Sequence, residues 1–550
     1  MKFIYSKLYK IILLFLLIVS CHNTDKNTTP NVIFILTDDL GFADLSSYGS
    51  KIIDTPNLDL MANQGALLSS YYATQAVCSA SRASILTGSY PNRIGFSGAL
   101  GPNSKKGINP NEFLLSEMFK QKGYNTAIYG KWHLGDNQKF LPTKHGFDDF
   151  FGILYSNDMW PYHAEYPNSY PDLMLYDYDK PIEILTDQSN LTMDLTSKSI
   201  SFIEKNKENP FFLFLAHPQP HVPLFASSKF NGRSKNGLYT DVIEEIDYSV
   251  GLIMQTLKDN NLDKNTIVVF TSDNGPWLSY GEHAGSTGIY REGKGTTWEG
   301  GQRVPCIVWY PKEIKEKTVI SNPLMGIDWL PTFADVVDSD LSENKIDGKN
   351  IWDVLTSKTQ KDPHEALFFY YHKNSLHGVR YGDYKMYFPH RYRTLNGRKG
   401  RNDGVPIKYD YVNLEKNELY NLRLDPSESN NIIDKFPEIA KKIDHEKYDS
   451  FIDNVYFKKT LNDIVGNLEP KYNKIKHKIK SGETFDKILE GYSIEKKEII
   501  KIKKSLSNNI DLNKLNTKQS IFFSIDKTNN KINEFIYQIS NTKKIVLKKL

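Results

Sequence analysis

Two segments more than two hundred residues apart end in the same chemistry: NVIFILTDDLG at 31–41 and NTIVVFTSDNG at 265–275. Each is a short apolar run rich in β-branched residues, followed by a threonine, acid or amide side chains and a glycine, the pattern of a buried strand. Alone, either ending also reads as a turn or a helix N-cap. Together they constrain the fold, because the carboxyl ends of strands form the ligand crevice of an open α/β sheet. The repetition predicts that Asp38, Asp39, Asp273 and Asn274 face one crevice. Carboxylates and an amide suit a hard cation, so calcium is expected rather than zinc, with magnesium as the alternative.

Residues 32 to about 350 alternate strand-like runs with helical stretches such as TPNLDLMANQG, FLLSEMFKQKG and TDVIEEIDYSVGLIMQTLKDN. This alternation predicts an α/β sandwich around a central, mostly parallel sheet, spanning 30–360. From about 365, ALFFYYHKNSLHGVRYGDYKMYF reads as successive strands and FPEIAKKIDHEKYDSFI as a closing helix, so 361–455 is expected to form a smaller antiparallel α+β subdomain. The chain's 550 residues are too many for one core. Its formal charge of +4 conceals an asymmetry, for residues 471–550 hold 19 lysines, no arginine and 8 acidic residues, leaving the main body net negative. No nucleic-acid partner is expected for that body.

At the amino end, Lys2, Lys7 and Lys10 precede the nine-residue apolar run IILLFLLIV, too short to span a bilayer. The pattern reads as an export signal over 1–21. IVSC resembles a bacterial lipobox, which implies lipid on Cys21 and a cell-envelope location, periplasmic or outer-membrane; an ordinary signal peptide cut elsewhere is the alternative. Exported proteins usually pair their cysteines, and with Cys21 lipidated a Cys78–Cys306 disulfide stays arithmetically open.

Cys78 has a second reading. In AVCSASRASILTG, residues 76–88, it opens a short helix that Gly88 is placed to end, where first-turn amides supply positive potential. A thiol there is either a low-pKa nucleophile or a buried cysteine. CSASRASILTG resembles the sulfatase signature CxPSRxxxLTG, with Ala80 where proline is more common. The resemblance implies that a formylglycine-generating maturation enzyme oxidises Cys78 to Cα-formylglycine. It extends over most of 31–450. TDDLG and SDNG are similar to the two halves of the family's calcium site, implicating Asp38, Asp39, Asp273 and Asn274 together with residue 78. YGKWHLG implicates Lys131 and His133, HPQPHVP implicates His221, and GKGTTWEGGQRVP implicates Lys294. FGILYSNDMWP maps Ser156 to the border of the site, and His283 and Arg303 read equally as site or scaffold. ELYNLRLDPSESNN resembles a segment near the end of many sulfatases, and the family's fold is an alkaline-phosphatase-like sandwich.

The implied chemistry is sulfate-ester hydrolysis. A cation with Arg82, Lys131 and Lys294 would neutralise the ester. One hydroxyl of the formylglycine hydrate would attack sulfur, and deprotonation of the other, with His133 as base, would expel sulfate. His221 or Lys294 would protonate the leaving oxygen. The aromatic segment from Tyr155 to Pro181, expected to be irregular, suits a sulfated carbohydrate, or else packs on its own domain. After a linker at 456–475, KIKSGETFDKILEGYSI and LNTKQSIFFSI resemble a LysM module over 476–550, which implies contact with peptidoglycan; a basic accessory domain without a ligand is the alternative. Two other functions remain open on sequence: a phosphoester or phosphonate ester hydrolase of the same superfamily, and a non-catalytic envelope glycan-binding protein.

Overall fold

The twin runs become neighbouring strands. Asn31–Thr37 pairs in parallel with Thr266–Ser272, in register from Asn31 opposite Thr266 to Thr37 opposite Ser272, so their polar ends emerge side by side. Both strands are buried along their whole length, as strands covered on both faces must be. The side chains of Val32 to Leu36 are fully buried, each worth about 1.5–3 kcal/mol against exposure.

These residues belong to a computed structural model that describes 29–341, 345–452, 472–507, 510–527, 531–540 and 542–548. The export signal, Cys21 and most of the linker lie outside the described residues. One ten-stranded sheet runs in the order Thr318–Ile320, Ala66–Leu68, Cys306–Trp309, Thr266–Ser272, Asn31–Thr37, Phe211–Ala216, Asn125–Lys131, Asp149–Ile153, Met174–Asp177, Lys180–Ile184. Its five middle strands, Thr266–Ser272 through Asp149–Ile153, are parallel. Antiparallel pairs flank them, so the sheet is mixed, with the parallel part where the ligand crevice was expected. The three helical stretches read from sequence form Pro56–Asn63, Leu115–Gln121 and Leu238–Asp259.

One expectation is corrected. Part of the Tyr155–Pro181 segment is regular: Met174–Asp177 and Lys180–Ile184 form a hairpin added to the sheet edge through Phe151–Asp177 and Gly152–Tyr176. Backbone pairing with Asp149–Ile153 overrides the turn-forming prolines and aspartates.

Residues up to Ile452 form one compact unit. Within it, Ala366–Tyr371, Ser375–Tyr381, Tyr384–Tyr387 and Glu418–Asn421 make the expected antiparallel sheet, beside a hairpin of His390–Thr394 with Asp410–Leu414. A buried ionic knot ties this sheet to the first part of the chain. Glu299 accepts from Lys385 Nζ at 2.8 Å, from Arg303 at 3.1 Å and from the Tyr72 hydroxyl at 2.7 Å. Arg303, left between site and scaffold by sequence, is therefore a scaffold residue.

The second unit, after Ile452, has its own core. Its order is strand Tyr472–Lys478, helices Phe485–Glu490 and Lys496–Leu506, then strands Ser520–Asp526, Ile532–Gln538 and Lys544–Lys548, joined antiparallel in chain order. Gly482 takes a left-handed turn at φ 83°, Thr484 caps the first helix, and Ile488 and Ile494 enter the core. Among the described residues no helix is long and apolar enough to cross a membrane.

Buried His377 stacks on His390 at 4.1 Å, with no hydrogen-bond partner for its Nδ1. Burial, then the neighbouring His390, pushes its pKa from 6.5 down to about 3. The folded state refuses a proton that the unfolded chain accepts, so stability present above pH 6.5 is lost as the pH falls toward 3. The size is at most on the order of 5 kcal/mol. His377→Phe is expected to flatten the acid side of a melting-temperature profile relative to the wild type; parallel profiles would refute this.

Candidate active site

The carboxyl ends of the parallel strands carry the site. Asp38 and Asp39 follow the strand Asn31–Thr37, Asp273 and Asn274 follow Thr266–Ser272, and Lys131 ends Asn125–Lys131. His221 follows Phe211–Ala216, and Ser156 follows Asp149–Ile153. Cys78 opens the helix Cys78–Thr87, all ten residues of which are buried, and Gly88 ends it in the left-handed conformation at φ 63°. Tight strand packing explains the first glycine of GKWHLG. Gly130 has φ 114°, and a Cβ there would stand 1.9 Å from the carbonyl oxygen of Ala216.

Three buried carboxylates meet three buried cations. Arg82 donates from Nε to Asp273 at 2.8 Å and from Nη1 to the Lys131 carbonyl at 2.7 Å, and its Nη2 is 3.3 Å from Asp38. Lys131 Nζ reaches Asp38 and, at 3.1 Å, the Ser156 hydroxyl. Lys294 Nζ lies 2.7 and 2.8 Å from the two Asp39 oxygens and 3.5 Å from Cys78 Sγ. Cys78 Sγ in turn donates to Asp38 at 3.3 Å. Burial by itself would raise Asp38, but Lys131, His221, Arg82 and Lys294 hold it well below the ordinary carboxylate range. Burial, with Asp38 beside it, lifts Asp273. Burial and then the carboxylates of Asp273 and Asp38 push the Cys78 thiol well up. Burial and these two carboxylates thus disfavour the thiolate of the unmodified cysteine.

The two histidines are held in defined tautomers. His133 donates from Nε2 to the Leu100 carbonyl at 2.8 Å, which leaves Nδ1 unprotonated and without a partner among the described residues. Burial and then Lys131 keep the ring neutral. His221 donates from Nδ1 to the Val222 carbonyl at 2.6 Å, so Nε2 faces Ser156 at 3.5 Å and Asp39 at 3.6 Å. Asp39 and His133 both adopt left-handed backbone, φ 65° and 60°, as residues at functional sites often do.

Of the sequence-derived site residues, Arg303 belongs to the scaffold, His133 feels the cluster only through the charges of Lys131, Arg82 and Asp38, and His283 stands apart. Its ring faces Gly404, and no hydrogen bond links it to the cluster among the described residues. The reason is that Gly281 turns the segment onto the 400–401 backbone, where Glu282 donates to the Arg401 carbonyl. The arithmetic disulfide is also corrected: Cys78 and Cys306 are both free and buried, Cys306 being held in the sheet opposite Thr271. Three neighbours were missed. Asp158 lies 3.6 Å from His163, and although burial opposes it, His221 and His163 help depress its pKa. Trp277 lies under Lys294 Nζ at 4.5 Å, and Arg393 donates to the Lys294 carbonyl. Asp158 stood in a quoted block and was legible in principle; the others had no local signal.

The Sulfatase family model matches residues 30–339. The chain belongs to the sulfatase family. A second model, N-sulphoglucosamine sulphohydrolase C-terminal, matches residues 293–454. Among similar curated sulfatases, N-acetylgalactosamine-6-sulfatase of Sus scrofa is 39% identical, covering 65% of this chain and 72% of its own. Arylsulfatase A of Bos taurus is 35% identical, with coverage of 75% and 85%. A solved sulfatase from Pseudoalteromonas sp. superposes with a TM-score of 0.70 at 26% identity, covering 79% of this chain and 92% of that one. This sulfatase is thus a sulfuric ester hydrolase, of a family that is formylglycine-dependent and metal-binding.

The residues fit a metal ion. Ligand atoms of Asp38, Asp39, Cys78 and His221 lie within 4.8 Å of one another. Asn274 donates from Nδ2 to Asp39 at 2.6 Å, while its Oδ1 is buried without a partner, so the amide turned over offers an oxygen to the same point. His221 was not among the expected ligands, and its nearness to Asp39 accounts for its appearance in the group.

Arg82→Lys removes a planar fork that a single ammonium cannot replace. It is expected to lower stability by about 3–5 kcal/mol by leaving Asp273 and Asp38 underpaired, and to cut sulfate-ester turnover at least ~10²-fold. Unchanged melting and kinetics would refute the pairing.

Proposed function

We propose that this sulfatase is an exported enzyme that removes sulfate from a carbohydrate, using Cα-formylglycine made from Cys78 and a bound calcium ion. The observation that carries this reading is the convergence of Cys78, Asp38, Asp39, Lys131, His221 and Lys294 within one buried cluster. Asp38, Asp39, Asp273 and Asn274 would hold the ion, with residue 78 beside it. When present, formylglycine hydrate supplies the nucleophile and the ion supplies positive charge. The chain's own charges nearly cancel among three carboxylates and three cations, so the ion would leave the crevice positive toward a sulfate monoester.

The protein's own groups divide the remaining work. Lys131 and Lys294 offer ammonium donors to sulfate oxygens, and Ser156 adds a hydroxyl. His133 Nδ1 is a free proton acceptor in a fixed tautomer. His221 Nε2 faces the cluster with its lone pair toward Ser156 and Asp39, where the ring, once protonated beside Asp39, would hand a proton to the leaving oxygen. Exposed Tyr162 and Tyr166 beside buried Trp160 suit the face of a sugar ring, and similar proteins named N-acetylgalactosamine-6-sulfatase support an amino sugar or related residue.

The reading extends to the envelope. Lipid on Cys21 would anchor the enzyme, a host maturation enzyme would act on residue 78, and the second unit would contact peptidoglycan as a LysM-like module. Its strand–helix–helix–strand order, with the outer two strands paired, supports that last part.

The test is mass spectrometry of the Cys78 peptide from protein made with a formylglycine-generating enzyme, alongside sulfate release from aryl and sugar sulfates. An aldehyde trapped by a hydrazine, and activity lost to a chelator and restored best by calcium, are the expected results. A thiol that persists where a control sulfatase is converted, or undiminished activity after chelation, would overturn the corresponding part.

A further inference from the structure

A cleft next to the site is not used by the chemistry above. Gly295, Tyr371, His372, Arg391, Tyr392, Arg393 and Tyr411 line a cavity of about 210 Å³, beginning one residue after Lys294. Arg391 and Arg393 alternate with Tyr392 along the strand His390–Thr394, so the two arginines share one face, and Tyr392, packed on Trp298, also borders the cleft. Each is stacked on a tyrosine, Arg391 on Tyr411 and Arg393 on Tyr409, both at 4.4 Å. Neither meets a carboxylate within 4.0 Å among the described residues, and Asp410 on the facing strand is paired with Arg398 at 2.9 Å.

The cleft is built onto the active site. Arg393 donates from Nε to the Lys294 carbonyl at 2.9 Å and also from Nη2. Its guanidinium carbon lies 5.9 Å from the Trp277 ring centre, and Lys294 Nζ lies 4.5 Å from the same ring. Gly295 makes the approach possible: it has φ 79°, and a Cβ there would stand 2.5 Å from the Arg393 guanidinium. The Arg391 guanidinium, with the edge of Arg393 that the Lys294 carbonyl does not engage, is braced by an aromatic face and matches the planar or trigonal oxygens of a carboxylate or sulfate. The volume is below the ~300 Å³ of a drug-sized pocket, enough for one substituent and part of a ring.

We propose that this cleft is a subsite for a second anionic group of the substrate, a carboxylate or further sulfate near the ester being cleaved, so that the enzyme selects polyanionic glycans. Arg391 is the specificity-determining residue, and Arg393 both lines the cleft and positions Lys294. The proposal rests on the carbohydrate-sulfatase reading above.

The experiment compares formylglycine-bearing wild type and Arg391→Gln on N-acetylgalactosamine 6-sulfate, on the same sugar with a uronic acid linked to it, and on its 4,6-disulfate. The wild type is expected to favour at least one dianionic probe tenfold or more in kcat/KM, mainly through KM, and Arg391→Gln to erase that preference. The favoured probe identifies the group as carboxylate or sulfate. A preference that is absent, or that survives Arg391→Gln, overturns the subsite. Calorimetric binding of the dianionic probes to Cys78→Ala, with and without Arg391→Gln, reads the cleft without turnover. Weaker binding by the double variant supports the subsite even if no probe is hydrolysed, in which case the carbohydrate-sulfatase reading fails instead. Equal binding by the two proteins, or none, overturns the subsite.

Discussion

Charge compensation inside a dry crevice is the constraint on which the rest of this structure depends. Asp38, Asp39 and Asp273 are buried where an unpaired carboxylate would cost several kcal/mol, and Arg82, Lys131 and Lys294 answer them within hydrogen-bond distance. That balance requires elements remote in sequence to hold their ends within ångströms of each other. The parallel register of the Asn31 and Thr266 strands meets the requirement, as does the approach of neighbouring strands at Gly130. Local backbone strain at Asp39 and His133 is sustained by the same packing.

The arrangement separates holding from reacting. Arg82 is committed to two carboxylates and a carbonyl, so its main effect is to fix the cluster. Lys131, Lys294 and His221 turn ammonium hydrogens or an imidazole nitrogen toward Ser156, Cys78 and Asp39. Burial and two carboxylates disfavour the anion of the unmodified thiol. This agrees with a family chemistry that replaces the thiol.

The antiparallel sheet after residue 365 does more than close the fold. Through the Glu299 knot and Arg393 it sets the backbone that carries Lys294, so the cleft beside Arg391 and the buried ammonium share one support.

Sequence by itself determined the strand ends, the helix at Cys78 and the alternation of an α/β sandwich, while Lys131, His133, His221 and Lys294 were legible only through segments that resemble the sulfatase family. These features are carried by short segments whose apolar runs, glycines and polar endings are dictated locally, by burial on both sheet faces and by backbone conformations open only to glycine. Tertiary structure alone decided which cations answer which carboxylates, that Cys306 stays in the sheet away from Cys78, that His283 turns aside with Gly281, and that Asp158, Trp277 and Arg393 adjoin the site. It also drew Met174–Asp177 into the sheet against its turn-rich composition. The physical reason is the same throughout: these outcomes depend on distances between residues tens to hundreds of positions apart, which are set by packing and charge pairing across elements and leave no mark in the local pattern.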